Sequence, residues 1–553
     1  MTQPATESTA TNKIFRQPEW LAAFLITVVI IGFHFYLLSN AGGFWRDEVN
    51  LINVATHHSL GEMMRDSFPV LMPLLVKGWS AGGLGAADVN LRLLGTLIGL
   101  ATVAGLWLSA WLARRSPPLI SLVLFGFNST AITFGDELRS YGLGSLMMVL
   151  MFAAAWHFLK RPDVSRAALL AVFAMLSVQS LYHNAVLVGA ICLGVVVVCL
   201  RHKNFRAAGS AFVAGLVAAL SLLPYLSSLI AGRADVVVLR TGLSWPRFFH
   251  GLLEALGFPW GQYIYVWGLL VLVVVGMAAA SFSKKAANDV SCQAVSTADT
   301  RLFAGTTLLI AVAGFLGFLW LTALPGQPWY FLPLMALVAA SFDVFRATLS
   351  RLVQTIFLGG VLVTFVIALP VTKSDLNYRF TNLDTWAAGL TAQAKPNDYA
   401  VVTPWFCGIT FAHYFKGATP WTTLPPLADH SSHRYDQMRL QMQTTNAMQP
   451  VLEQIAATLR SGQRVWLLAP ANIVKMPAPD SLPPADLPPP PLPGSGWSDD
   501  PYSWTWTMQT VHFLARHGEN FRQINSPEGG PRIAENLGLF VIEGWSDTGN
   551  AKP

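Results

Sequence analysis

The sequence predicts a polytopic α-helical membrane protein that ends in a smaller α/β domain. Of its 553 residues, 53% are hydrophobic and only 12% are charged, whereas soluble domains carry about 25% charged residues. Apolar runs long enough to cross a bilayer as helices occupy most of the chain up to residue 371. Beyond that point no run of this length remains, and half of the 30 acidic residues lie there.

The apolar runs predict about eleven transmembrane helices within a core at 20–371. A polar segment, 1–19, precedes the first run, and no convincing signal-peptide cleavage site follows that run, so we expect a retained first helix. The four cysteines are scattered and indicate neither a disulfide framework nor a metal cluster. The predicted spans are 20–39, 91–112, 118–134, 141–159, 167–183, 185–200, 207–230, 262–283, 302–323, 329–345 and 352–371.

The distribution of basic residues predicts how these helices cross the membrane. With a cytoplasmic N-terminus, the short inward segments hold 15 Lys and Arg residues, and the outward side before residue 372 holds eight when Arg92, at the outer end of the second span, is included. Cytoplasmic loops of membrane proteins are enriched in these residues, so the net charge of +6 needs no nucleic-acid partner. Eleven crossings place the first long loop, 41–90, and the C-terminal domain on the outer face. We expect a multi-pass protein of the bacterial inner (plasma) membrane with a periplasmic C-terminal domain.

The C-terminal segment, 372–553, predicts a soluble α/β domain. Three apolar stretches are typical of buried strands, a helix is expected around "GITFAHYF", and the proline-rich run at 477–496 predicts an extended loop. No glycine-rich dinucleotide motif is present, so we expect no nucleotide cofactor and favour a structural cap or an acceptor-docking module. Stacking on sugar rings is a less favoured role for Trp405, Trp421, Trp504 and Trp506. The three strand stretches are "NDYAVVTPW" (397–405), "RVWLLAP" (464–470) and "GLFVIEG" (538–544).

Two acidic pairs, each with an arginine nearby, lie at the predicted outer ends of membrane helices. "FWRDEV" follows the first span and supplies Arg46, Asp47 and Glu48; "FGDELRSYGL" follows the third and supplies Asp136, Glu137, Arg139 and Tyr141. Charges left unpaired at a membrane boundary are costly, so they usually serve a site or find a partner. Solvation or a helix dipole explains any one such acid. The recurrence of the pattern on one face favours a functional site.

These residue types suit transfer chemistry on a phosphorylated lipid. A carboxylate can act as a general base on a hydroxyl or amine acceptor, or can bind a divalent cation through its oxygens. Arginines grip phosphate or diphosphate in a bidentate fashion. Because nucleotide-activated donors are not supplied outside the inner membrane, the donor is expected to be lipid-anchored. The pattern therefore predicts glycosyl or phosphoryl transfer from a polyprenyl phosphate. A divalent cation is an open option, but no paired-histidine motif demands one, and we assign no metal ligands.

Six motifs in order resemble the GT-C superfamily of polytopic glycosyltransferases. The resemblance covers about 20–340 and is strongest to bacterial proteins similar to the dolichyl-phosphate-mannose protein mannosyltransferases and the lipid A aminoarabinose transferases. A single Asp-Glu pair is a weak signal, but the ordered set on one predicted face is much more specific. The motifs are "FWRDEV", "SFPVLMPLLVKGW", "GAADVNLRLLGTLIG", "FGDELRSYGLGSL", "LYHN" and "PWYFLPLMALV".

The resemblance implies roles for individual residues. The first-loop acid of such families activates the acceptor, which makes Asp47 the leading base and Glu48 the second candidate. Asp136 and Glu137 are the further catalytic candidates, and their cluster is expected to help build the same cavity. Arg92 is either a phosphate contact or a packing anchor, and we favour packing. The substrate-binding candidates are Arg46, Arg92, Arg139, Tyr141, His183 and Tyr330.

The chain departs from the family pattern at two places. Asn184 follows His183 where relatives often have His-Tyr, and Gln327, Pro328 and Trp329 stand where many relatives carry an arginine before the tyrosine. The second departure leaves the donor-phosphate contact open. An arginine of the preceding long loop is a substitute candidate: Arg233, Arg240 or Arg247.

Three classes of function remain open from the sequence. The first is an inverting glycosyltransferase that moves a sugar from a polyprenyl-phosphate donor to a lipid, polysaccharide or protein. The second is a transporter or flippase for lipid-linked sugars, which is expected to place charges near mid-membrane rather than at one face. The third is a non-enzymatic polysaccharide-assembly or sensor protein, for which loss of Asp47 is expected to be harmless.

Overall fold

The structure, a computed structural model, is mostly helical and ends in a mixed sheet with helices. It describes residues 18–65, 68–85, 87–228, 230, 244–282, 295–322, 324, 326–471, 486–492, 497–524, 530 and 532–547. The predicted loop at 477–496 is described only at 486–492, where it has no regular secondary structure.

The apolar part of the chain folds into helices of very different lengths. Its α-helices are α1 (Pro18–Asn40), α2 (Arg46–His57), α3 (Leu60–Met63), α4 (Leu71–Trp79), α5 (Asp88–Arg114), α6 (Leu119–Ser121), α7 (Ser129–Gly135), α8 (Ser140–Lys160), α9 (Val164–Ser180), α10 (Asn184–Arg201), α11 (Phe205–Leu220), α12 (Trp245–Leu256), α13 (Tyr263–Phe282), α14 (Thr297–Thr322), α15 (Leu332–Arg346) and α16 (Arg351–Asp375). Short π-helices (Ser80–Leu84, Leu122–Gly126) and 3₁₀-helices (Leu223–Tyr225, Pro328–Phe331) interrupt or extend them.

The helices confirm the polytopic fold class. Within the described residues, nine helices are long and apolar enough to cross a membrane, and each overlaps a predicted span. The predicted span at 167–183 is the shorter helix α9, 17 residues long. The predicted span at 118–134 is not continuous, because the Asn128 side chain accepts hydrogen bonds from the backbone N–H groups of Thr130 and Ala131 and so starts α7 as a new helix.

The described residues form two compact units that do not follow a single cut in the chain. The membrane unit contains the described residues of 18–38, 59–228 and 244–376. The α/β unit contains 39–58, residue 230 and the described residues of 377–547. Helix α2, which carries "RDEV", therefore belongs to the α/β unit although it lies within the predicted loop at 41–90.

The α/β unit is built on a five-stranded mixed sheet with the order β3-β2-β4-β7-β5. Strands β2, β3 and β4 are parallel, whereas β7 pairs antiparallel with β4 and β5; β1 and β6 form a separate parallel pair. The strands are β1 (Tyr378–Thr381), β2 (Tyr399–Val402), β3 (Trp421–Thr423), β4 (Val465–Ala469), β5 (Gly518–Ile524), β6 (Arg532–Glu535) and β7 (Gly538–Trp545), with helices α17 (Leu383–Gln393), α18 (Cys407–Tyr414), α19 (Tyr435–Gln443), α20 (Gln449–Arg460) and α21 (Asp500–His517).

Both faces of the central strands are buried, which explains their continuous apolar sequence. Val465 and Leu467 of β4 pack into one apolar cluster, and Trp466 and Leu468 pack into another. Successive side chains of a strand point to opposite faces, so a strand covered on both sides has no polar alternation. The three predicted strands and the helix at "GITFAHYF" are confirmed as β2, β4, β7 and α18.

The suggestion that four tryptophans stack on sugars is wrong for two of them. Trp405 and Trp506 are each only 1% exposed and belong to the core. The indole nitrogen of Trp405 donates a 2.6 Å hydrogen bond to Oδ2 of Asp499, which satisfies its one polar atom. Trp421 is half-buried, and its ring lies against Phe411 and His430. Trp504 is 54% exposed.

Candidate active site

The stretch "FWRDEV" forms the start of helix α2. Trp45 is the extended residue at its N-cap, so Asp47 and Glu48 both lie in the first turn. The positive end of the helix dipole stabilises negative charge there, and this position by itself is compatible with a purely structural role. The two acids differ in how exposed their side chains are.

Asp47 is accessible and Glu48 is not. Glu48 is 0% exposed, whereas the Asp47 side chain is 20% exposed. Nε of Arg46 lies 3.5 Å from Oδ1 of Asp47, and the Arg46 guanidinium packs over the Phe406 ring at 4.1 Å. A general base must be reachable by its proton donor. The accessibility of its side chain favours Asp47 over Glu48 for that role.

The α/β unit holds the whole segment around Asp47 through polar contacts. The backbone N–H of Phe380 in β1 donates to the carbonyl of Ala41 at 2.9 Å. The backbone N–H of Phe44 donates to the Tyr414 hydroxyl at 2.7 Å. These two hydrogen bonds hold the backbone immediately before α2, and Asp47 lies in the first turn of that helix.

His433, which the sequence analysis missed, contacts Asp47 directly. Its Nε2 atom lies 3.1 Å from Oδ1 of Asp47, and its backbone N–H donates to Oδ1 of Asn50 at 3.1 Å. The two partners are 386 residues apart in the sequence. No local pattern in "SSHRYDQ" distinguishes this histidine from an ordinary surface residue.

In the membrane unit, Asp136 is paired with a second histidine that the sequence analysis missed. Nδ1 of His34 lies 2.8 Å from Oδ2 of Asp136 and 2.9 Å from its Oδ1, and both residues are 3% exposed. Burial raises the pKa of the Asp136 carboxyl, while His34 and the charge of Arg92 oppose that rise. Arg92 is itself 3% exposed, which fits the preferred packing role. His34 could have been recognised from the sequence, because an ionisable residue inside an apolar membrane run usually has a functional role or a polar partner.

Glu137 and Arg139 form the second polar contact of this cluster. Nη1 of Arg139 donates to Oε2 of Glu137 at 3.3 Å, and both residues are buried. The guanidinium lies over two aromatic rings, 4.8 Å from the centre of Tyr141 and 5.0 Å from that of Trp329. Arg139 thus contacts both an acidic side chain and two aromatic rings of this cluster.

His183 joins the same cluster as a neutral ring. Its ring centre lies 6.2 Å from those of Tyr141 and Tyr330 and 5.5 Å from that of Phe315. Burial lowers the pKa of His183 to about 3, so the imidazole carries no charge near neutral pH. Within the described part of the chain, its Nε2 atom is buried and has no hydrogen-bond partner. Such an atom is a ready contact for a polar substrate group.

The remaining candidates divide by what the structure describes. Arg233 and Arg240 lie outside the described residues, and Arg247 is exposed on α12. Asp47 and Asp136 belong to different units, so the shared cavity that the resemblance implies remains a prediction. Among the described residues, no three His, Cys, Asp or Glu side chains come together as metal ligands do.

No protein-family model and no curated protein matches the chain. Three solved structures are similar to the chain at low sequence identity. ArnT from Cupriavidus metallidurans, bound to undecaprenyl phosphate, is 12% identical with a TM-score of 0.48, over 82% of this chain and 93% of that one. The Archaeoglobus fulgidus oligosaccharyltransferase with Zn and sulfate is 10% identical with a TM-score of 0.45, over 80% and 68% of the two chains.

The third structure is the oligosaccharyltransferase AglB from Archaeoglobus fulgidus with an inhibitory peptide and a dolichol-phosphate. It is 11% identical with a TM-score of 0.44, over 81% of this chain and 69% of that one.

Proposed function

We propose that the chain is an inverting glycosyltransferase that uses a polyprenyl-phosphate sugar on the outer face of the membrane. The acceptor is a lipid, a polysaccharide or a protein. The observation that carries the proposal is the state of Asp47: a partly exposed carboxylate, fixed at the first turn of α2 and contacted by Arg46 and His433. An anchored, accessible carboxylate just beyond a membrane helix is suited to general-base chemistry on an acceptor.

The proposed reaction assigns the acceptor to Asp47 and the donor to the arginines. Asp47 removes the proton of an acceptor hydroxyl or amine as that group attacks the anomeric carbon from the face opposite the phosphate. The bond between the anomeric carbon and the phosphate oxygen breaks, and the phosphate leaves with the electron pair. Charge grows on the leaving phosphate, and a guanidinium group is suited to stabilise that charge. Inversion at the anomeric carbon follows from the single displacement.

The cluster around Arg139 suits a sugar phosphate. Aromatic side chains there offer apolar faces for a sugar ring or an isoprenoid unit, and Nε2 of His183 is an unpaired hydrogen-bonding atom among the described residues. Because the imidazole is neutral, it can donate to or accept from a hydroxyl without adding charge.

Transfer can be measured with the full-length protein in detergent. Radiolabelled undecaprenyl- and dolichyl-phosphate hexoses and pentoses are supplied with a membrane-lipid extract and a peptide acceptor, with and without EDTA. We expect label to move to one acceptor class, with inverted configuration by NMR of the product. The absence of transfer from every donor, together with movement of the lipid across proteoliposomes, would replace this proposal by the flippase alternative.

The orientation belongs to the same proposal. The positive-inside rule supports a cytoplasmic N-terminus and a periplasmic C-terminal domain. Single cysteines placed at residue 5 and at residue 550 can be labelled in intact and in permeabilised cells. The proposal requires the C-terminal cysteine to react from outside and the N-terminal one only after permeabilisation.

A further inference from the structure

The loop before α19 approaches the polar face of α2 at three points spaced three residues apart. Asp47 contacts the His433 ring, Asn50 accepts from the His433 backbone, and Nδ2 of Asn53 donates to the carbonyl of Ser431 at 2.7 Å. Side chains at this spacing lie on one side of a helix. The contact is therefore a row of matched polar groups along the face of α2 that starts at Asp47.

The loop that carries His433 is itself fixed. The backbone N–H of Ser431 donates to Oδ1 of Asp429 at 2.8 Å. Arg434 donates to both Asp429 and Asp436, so its guanidinium is engaged by two carboxylates. The His430 ring lies on Trp421 at 4.6 Å. A loop held in this way can present one side chain in one orientation.

The His433 ring is also supported from its other side. It stacks on Tyr435 with the ring centres 5.7 Å apart and an interplanar angle of 27°. Tyr435 packs against the buried rings of Trp405 and Trp497. The imidazole thus lies between the core of the α/β unit and Asp47. When Nε2 carries the proton, its N–H group donates to the Asp47 carboxylate and fixes the orientation of that carboxylate.

Several charged and titratable groups face this contact among the described residues, because Arg46 interacts electrostatically with Glu535, Cys407, Tyr435 and Asp499 as well as with Asp47. Arg46, next to Asp47, brings Nε to 3.5 Å from the same Oδ1 atom, and Tyr435 faces the imidazole. Arg434 is occupied by its two aspartates. From the C-terminal part of the chain, His433 brings a ring nitrogen within hydrogen-bonding distance of Asp47.

We propose that His433 is a positioning residue for Asp47, which makes the C-terminal α/β unit a working part of the active site rather than a cap. This inference rests on the proposed function, since it deepens the role of the same carboxylate. His433 donates a hydrogen bond through Nε2 and holds the Asp47 carboxylate in one orientation and in its ionised form. Asp47 alone takes the acceptor proton.

The test compares three variants of the full-length protein in the transfer assay. His433→Ala is expected to lower kcat by about 10- to 100-fold, the range that one hydrogen bond to a charged group supports, with the donor KM unchanged. His433→Gln places an amide N–H near the Nε2 position and is expected to restore most of the rate. His57→Gln changes an exposed histidine at the other end of α2 and is expected to match wild type.

The pH profile separates positioning from simple structural support. A carboxylate that loses a hydrogen-bond donor binds its proton more readily, so the acidic limb of the kcat/KM profile should move to higher pH in His433→Ala. It should stay in place in His433→Gln and His57→Gln. A rate loss in His433→Ala with an unmoved limb and no rescue by Gln would overturn the proposal. Transfer by His433→Ala equal to wild type would overturn it as well.

A measurement that needs no activity keeps this inference distinct from the proposed function. Thermal unfolding of Asp47→Asn, His433→Ala and the double variant forms a mutant cycle. Residues in contact give non-additive shifts, so the double variant should lose less in Tm than the two single shifts combined. Additive shifts would contradict the contact whatever the assay gives. If the Tm shifts are non-additive but the wild-type protein transfers no sugar, the contact between His433 and Asp47 exists and the glycosyltransferase proposal fails. The contact would then have no role in catalysis.

Discussion

The imidazole of His34 faces the carboxylate of Asp136, with Nδ1 2.8 Å from Oδ2 and 2.9 Å from Oδ1. The first apolar helix and the segment after α7, 102 residues later, are joined by this pair. Helix α5 passes close beside it, because a Cβ added at Gly99 would lie 2.0 Å from Oδ1 of Asp136 and 2.8 Å from Cε1 of His34. The absence of a side chain at Gly99 is thus required for the pair.

Gly99→Ala should therefore destabilise the protein although alanine favours helices. Overpacking a filled site costs about 1–3 kcal/mol, and here the added methyl group would also displace a buried carboxylate. We expect a lower Tm in detergent. Gly268→Ala is the matched control, since Gly268 lies in membrane helix α13 with nothing within 4 Å of an added Cβ; it should leave Tm unchanged or slightly raised. Equal Tm values for the two variants would refute the close approach.

Arg139→Lys tests whether the guanidinium over Tyr141 and Trp329 contacts the donor phosphate. Lysine keeps the charge but loses the planar fork and the stacking surface. We expect kcat/KM for the donor to fall by about 10- to 100-fold. Arg247→Lys is the comparison, because Arg247 is exposed on α12 and is the described member of the alternative set. If Arg247→Lys lost activity and Arg139→Lys did not, the donor-phosphate contact would move to that loop.

His183→Phe tests the hydrogen-bonding role of the neutral imidazole. Phenylalanine keeps an aromatic ring among Tyr141, Tyr330 and Phe315 but removes Nε2. We expect about a tenfold loss of kcat/KM with little change in Tm. Because burial lowers the pKa of His183 to about 3, its titration should not contribute to the activity profile between pH 5 and 9. His250→Gln, at a histidine whose side chain is 82% exposed, provides the control. A His183→Phe variant with wild-type activity would exclude a substrate contact.

Glu535 predicts a pH dependence of stability in the α/β unit. It is 4% exposed, and burial raises its pKa to about 7 from a usual 4.5, although the charge of Arg46 opposes the rise. The folded state thus favours the protonated acid. This contribution is fully present below about pH 4.5 and is lost as pH rises through 7, with a total on the order of 3 kcal/mol.

Glu535→Gln should remove that dependence. The Tm difference between the variant and wild type should grow in favour of the variant from pH 5 to pH 8, because only wild type must ionise a buried acid. Other titrating groups are shared and cancel in the difference. A Tm difference that does not change with pH would show that the buried carboxyl does not titrate in this range.

The sequence predicts the features that are local. Membrane helices follow from apolar runs, and β2, β4 and β7 follow from short stretches of apolar residues buried on both faces. Strands β5 and β6 were missed because "GENFRQI" and "RIAE" are largely polar and partly exposed, so neither shows the alternation of a half-buried strand.

The candidate site shows the same division. The acidic pairs and their arginines are visible in the sequence, since charges interrupt long apolar runs at Asp47 and Asp136. The contact of His433 with Asp47 depends on how α2 groups with a domain that begins more than 300 residues later. No spacing rule encodes such a contact.

The most direct test of this account is label transfer by wild type beside Asp47→Asn, with Asp136→Asn and Glu48→Gln run in parallel. If Asp47 is the base, Asp47→Asn should reduce transfer by at least about 100-fold while its Tm stays within a few degrees of wild type. Transfer by a folded Asp47→Asn protein at the wild-type rate would contradict the central claim, and loss of transfer only in Asp136→Asn would move the base to the membrane unit.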